Sequence, residues 1–116
     1  MREGEDRLTC EVQGLKVVLR QQGSLAGAYA LTDTHPRNDQ VFALALHANV
    51  VANVAKVGLD SDGDLAFAVE LPAPQSELDI VNAVGRLVAF TERTWPMLVL
   101  ANEAPQRRGL LGWLKR

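Results

Sequence analysis

The feature that most limits how this chain can fold lies between Ala55 and Leu71. Ala55, Val57 and Leu59 alternate with Lys56 and Gly58, the segment Asp60-Ser61-Asp62-Gly63-Asp64 turns the chain, and Leu65, Phe67, Val69 and Leu71 alternate with Ala66, Ala68 and Glu70. A period of two places each apolar set on one face of a strand, and Asp-Gly is a preferred hairpin turn. The segment therefore reads as a β-hairpin with one face to bury.

The same alternation opens the chain. Leu8, Cys10 and Val12 are followed by a Gln13-Gly14 turn and by Leu15, Val17 and Leu19, a second hairpin. After Gln22-Gly23-Ser24, a third run places Leu25, Tyr29 and Leu31 on one side, with Gly27 between them where a neighbouring backbone or side chain can come close. Three antiparallel strands are expected there.

Helices supply the cover. In the polar stretch Thr32 to Gln40, Asn38-Asp39 can accept the free N–H groups of a helix start. The run VFALALHANVVAN from Val41 has no Gly or Pro and is apolar on nearly every face, so most of it is expected to be buried or paired, with a change to strand near Asn53. Leu71-Pro72-Ala73-Pro74 breaks the sheet, and Ser76 with Asp79 three residues on forms a helix-capping pair. Along the long helix that follows, Val81, Val84, Val88, Thr91 and Trp95, widened by Ile80 and Leu87, form the stripe expected to pack on the sheet. Pro96 is expected to kink or end this helix near Thr94. The order β-β-β-α-β-β-α predicts an α+β fold, an antiparallel sheet with helices packed on it. Residues 1–104 read as a single domain and residues 105–116 as a basic amphipathic tail.

Size and composition agree with one folded domain. A chain of 116 residues buries roughly two thirds of its unfolded surface around a single core. Hydrophobic residues make up 47% and charged residues 22%, an ordinary globular balance. A net charge of -2 gives no overall attraction to phosphate backbones, which argues against general nucleic-acid binding. Charge is uneven, however: Asp60, Asp62, Asp64, Glu70, Glu77 and Asp79 lie in a stretch without Lys or Arg, and Arg107, Arg108, Lys115 and Arg116 crowd the C-terminus. A single cysteine excludes an intramolecular disulfide and fits a reduced compartment. With a charged N-terminus and no apolar run of about 18 residues, the expectation is a cytoplasmic protein with no membrane span.

No catalytic or cofactor apparatus is expected. The Asp60–Asp64 segment resembles a calcium loop, but an EF-hand starting at Asp60 needs Gly where Leu65 stands and a bidentate Glu where Leu71 stands, so it reads as a turn. His35 and His47, the only histidines, lack metal-ligand spacing, and His47 reads as a packed or interface residue. Cys10 falls on the apolar parity of a strand and reads as a core thiol. Ser24, Ser61 and Ser76 sit in turns or caps, and nucleophile-elbow, phosphate-loop and dinucleotide signatures are absent. The tail Gly109-Leu110-Leu111-Gly112-Trp113-Leu114-Lys115-Arg116 mixes apolar and basic residues; with two glycines it is a poor isolated helix, and it reads either as a flexible tail or as a segment that docks on its own domain, a protein partner or a membrane surface.

The stretch HANVVANVAKVGLDSDGDLAFAVELPAPQSELDIVNAVGRLVAFTERTWPML resembles the YbjN family and, more distantly, the type III secretion chaperone fold. The resemblance lies in a helix carrying Asn49, a strand reaching VGLD, the Asp62-Gly63 turn, a strand ending in Leu71-Pro72 and a long closing helix. It implies no catalytic residues. The family fold usually opens with a helix, for which only about seven polar residues stand before the first strand here. The resemblance also implies a stress or sensory-transduction setting and, from the secretion chaperones, a homodimer through the central helix, which an all-round apolar helix from Val41 to Ala52 would suit. The leading expectation is thus a non-enzymatic protein-binding module, chaperone-like or regulatory, acting as a homodimer on a protein client. Its candidate interaction residues are Val41, Leu44, His47, Val51, Leu110, Leu111, Trp113 and Leu114. The rival expectations are a small-ligand domain with Tyr29, His47 or Trp95 lining a pocket between sheet and long helix, and an accessory nucleic-acid protein using the basic tail.

Overall fold

The computed structural model describes residues 6–52, 54–72 and 76–103, with only the backbone of Asp6 and Gln22. Strands β1 (Asp6–Val12), β2 (Leu15–Gln22) and β3 (Leu25–Leu31) are followed by α1 (Asp39–Val51), β4 (Lys56–Leu59), β5 (Leu65–Pro72) and α2 (Glu77–Glu103). The five strands form one antiparallel sheet in the order β1-β2-β3-β5-β4. The two N-terminal hairpins are local, and the β4–β5 hairpin is inserted beside β3 by pairing Ala28 with Val69 and Ala30 with Phe67.

Both helices lie on one face of this sheet, α2 over β3 and β5 and α1 over β4. Val17, Ala28, Ala30, Val57, Leu65, Phe67 and Val69 turn toward them and are buried. In β3 the buried parity is the alanine one, and Leu25, Tyr29 and Leu31 occupy the opposite face. Ala28 and Ala30 are small enough to bring the backbone of α2 close, so residue size does not mark the core face of this strand. On the far face Tyr29 lies across Gly27, where a side chain would collide with its ring, and its hydroxyl donates to Glu70 Oε2 at 2.7 Å.

The long helix begins where its cap predicts: Asp79 N donates to Ser76 Oγ at 3.1 Å and Ser76 N to Asp79 Oδ2 at 3.4 Å. Its buried stripe is Ala83, Leu87, Phe90, Thr94, Leu98 and Ala101, flanked by Val88, Thr91 and Asn102. This corrects the expected stripe, since Val81 is 63% exposed and Ile80 also reaches solvent. The helix also continues through Pro96 to Glu103 instead of ending near Thr94. Tertiary bonds hold the last turns. The Trp95 indole donates to Thr34 Oγ1 at 3.0 Å, Asn38 Nδ2 donates to Ala101 O, and buried Asn102 accepts from Arg37 N at 2.7 Å while donating to His35 O at 2.9 Å.

Candidate protein-binding surfaces

α1 starts at Asn38, whose side chain accepts from Val41 N. Three small contacts, Val41, Ala45 and Ala48, face the core, and Leu44 packs against it from the side. One outer face of the helix is apolar and uncovered: Phe42, Leu46 and Val50 follow one another at four-residue steps, with Val51 beside them, and exposure reaches 67% at Leu46 and 81% at Val50. Most of this helix is therefore not buried within the chain. Of the sequence-predicted interaction residues, His47 and Val51 lie on the exposed side, Leu44 is half buried, and Val41, at 0% exposure, belongs to the core of the chain itself. Leu110, Leu111, Trp113 and Leu114 lie outside the described residues. Phe42, Leu46 and Val50 are the members sequence reasoning left out; the four-residue spacing carried the signal, hidden because every face of the segment is apolar.

The edge of the sheet beneath α1 is closed. Asn49 donates from Nδ2 to Val57 O at 2.9 Å and accepts from Val57 N at 2.7 Å, so its amide takes the place of a neighbouring strand along β4. Lys56 Nζ then donates to Asn49 O and Ala52 O, satisfying carbonyls at the C-terminal end of α1. The opposite edge, β1, has no such cover among the described residues. Beside it, the part of the helix-facing sheet surface that α2 does not reach forms a groove of about 210 Å³, with Leu8, Leu19, Ala26, Leu71, Ile80 and Ala83 among its walls. Leu8 is 60% exposed at its rim.

Among the described residues, one cluster of chemistry-bearing side chains forms, in the β4–β5 turn. Asp60, Asp62 and Asp64 bring carboxylate oxygens within 4.8 Å of one another, but one oxygen of Asp60 accepts the N–H groups of Asp62 and Asp64, and Asp64 meets His35 Nδ1 at 3.2 Å. Gly63, at φ 83°, completes this turn, with its N–H on Asp60 O. Cys10 is half buried and packs against the core. Burial, then the hydrogen bond to Glu70 and the charge of that carboxylate, push the Tyr29 hydroxyl up to about 12, against a smaller opposing pull from Arg20. A groove does lie between sheet and long helix, yet Tyr29, His47 and Trp95 are not among its walls. Among the described residues, no helix is long and apolar enough to cross a membrane.

No protein-family model and no curated protein matches the chain. Among solved structures, a chain of the heterodimeric complex ExoU-SpcU from the type III secretion system of Pseudomonas aeruginosa superposes with a TM-score of 0.62 at 18% identity, over 90% of this chain and 87% of that one. The fold is type III secretion chaperone-like. The likeness to the YbjN family rests on the sequence pattern alone.

Proposed function

We propose that this chain is a non-enzymatic protein-binding module, chaperone-like or regulatory in the manner of stress or sensory-transduction proteins, that acts as a homodimer on a protein client. The observation that carries this reading is the outer face of α1. Fully burying an exposed aliphatic or aromatic side chain contributes about 1.5–3 kcal/mol, so the exposed parts of Phe42, Leu46, Val50 and Val51 together offer a gross gain of about 4–8 kcal/mol to any protein that covers them. Association itself costs on the order of 4–15 kcal/mol, so this face suits a specific contact that draws on further surface. The secretion-chaperone-like fold supports the same reading, because its solved counterpart comes from a heterodimeric complex. The C-terminal apolar residues Leu110, Leu111, Trp113 and Leu114 are proposed as additional contacts.

Sedimentation of the full chain tests the homodimer: a mass of two chains is expected, and a single-chain mass at every accessible concentration removes it. The groove beside α2 favours one competing reading, a small apolar ligand. That reading predicts a thermal shift in a metabolite panel, worth about 2.7 kcal/mol at a hundredfold excess over Kd.

A further inference from the structure

We infer that the apolar tail segment from Leu110 to Leu114 lies along the outer face of α1 of the same chain, covering Phe42, Leu46 and Val50 until a client displaces it. This rests on the reading of α1 as the client-binding face and deepens it by naming what occupies that face when no client is bound.

The end of α2 sets where the tail begins. Asn38, which caps α1, donates to Ala101 O, and Asn102 accepts from Arg37 N while donating to His35 O. The last turn of α2 is thereby tied to the start of α1, and the chain leaves Glu103 at that junction. At a rise of 1.5 Å per residue, Phe42 lies about 6 Å and Val50 about 18 Å along α1 from Asn38. The linker from Ala104 to Gly109 carries Leu110 at most about 25 Å from Glu103, enough to reach either residue. The other apolar surface is farther away. Its groove takes Ile80 and Ala83 from the opposite end of α2, about 30–35 Å of helix from Glu103. Leu110 cannot reach that far, so the apolar tail residues cannot lie in the groove together.

Dimensions and charge agree with the α1 site. From Phe42 to Val50 the helix advances about 12 Å, and from Leu110 to Leu114 an extended chain advances about 13 Å. Leu110, Leu111, Trp113 and Leu114 therefore match the length of the apolar stripe they would cover. Gly109 and Gly112 disfavour a helix in the segment and permit this extended course. Asp39 in the first turn of α1 and Glu103 at the end of α2 are exposed at the junction, and the linker that starts there carries Arg107 and Arg108. Opposite charges thus meet where the tail sets out. The tail shields an apolar face that would otherwise invite unspecific association, and a client that displaces it meets both the face and the released apolar residues.

The test is nuclear magnetic resonance of the full chain labelled with nitrogen-15. The chain has two tryptophans, Trp95 and Trp113, and Trp113→Phe assigns their indole signals. In the wild type the Trp113 indole is expected to show the heteronuclear relaxation of an ordered group, close to that of Trp95. Leu46→Asp with Val50→Asp is expected to abolish this order, as is Leu111→Asp with Leu114→Asp in the tail. The Trp95 indole, bonded to Thr34, keeps its position if the fold is intact and so separates undocking from unfolding. A Trp113 that is already mobile in the wild type overturns the proposal, as does one whose order survives the α1 substitutions. Unlabelled wild type added to the labelled α1 variant leaves Trp113 mobile if docking is within one chain; recovered order places the tail on a second copy and overturns the proposal. None of these outcomes removes α1 as a client-binding face, which is tested separately by capture with the α1 variant.

Discussion

Two side chains decide much of how this sheet ends and what its open face tolerates. Asn49 satisfies both outward backbone groups of Val57, and its truncation leaves a donor and an acceptor unpaired beside α1. Asn49→Ala is expected to destabilise the fold by about 2 kcal/mol in urea unfolding and to raise the tendency of β4 to pair with other strands. Tyr29 is the only tyrosine of the chain, so its titration is directly visible by tyrosinate absorbance. Its hydroxyl titrates near 12 in the folded chain against 10.0 for an unperturbed tyrosine. A raised folded pKa means that the folded state holds the proton longer, so the contribution of Tyr29 is complete below pH 10.0 and is lost as pH climbs toward about 12. Glu70→Gln removes the carboxylate charge and is expected to bring the midpoint down toward the unperturbed value.

At the scale of elements, α1 and α2 show different balances between local sequence and tertiary context. Leu46 and Val50 project into solvent, so Leu46→Asp with Val50→Asp is expected to change stability by no more than about 0.5 kcal/mol in chemical denaturation while weakening association through α1. α2 carries Pro96 in its interior at a cost, held in place by the bonds of Trp95, Ala101 and Asn102 to the segment before α1. Pro96→Ala is expected to raise stability by about 1 kcal/mol, read as an increase in thermal midpoint, because it restores a helical donor without touching those bonds. The hairpins, their turns and the Ser76 cap are legible in the chain because alternation and turn chemistry are local. The continuation past Pro96 is not, since what overrides the proline is Asn102 reaching His35 and Arg37, more than sixty residues away. Two stripes with three- and four-residue spacing coexist on α2. The one containing Ala83, Thr94 and Ala101 is the one buried, because Ala28 and Ala30 on β3 admit a close helix.

At the scale of the whole molecule, the order of strands and helices was readable from the sequence, and the likeness to a type III secretion structure supports the fold over nine tenths of the chain. The candidate surfaces were readable only in part. An all-round apolar α1 does not say which stripe meets the core, and Val41 proves to be core while Phe42, Leu46 and Val50 are exposed. We propose that this chain works by binding protein through the outer face of α1. Affinity capture from a native lysate, with the wild-type chain beside the Leu46→Asp, Val50→Asp variant, tests it most directly. A polypeptide retained by the wild type in fixed proportion and absent from the variant is the expected result; the same polypeptides on both, or none on either, would overturn binding through α1.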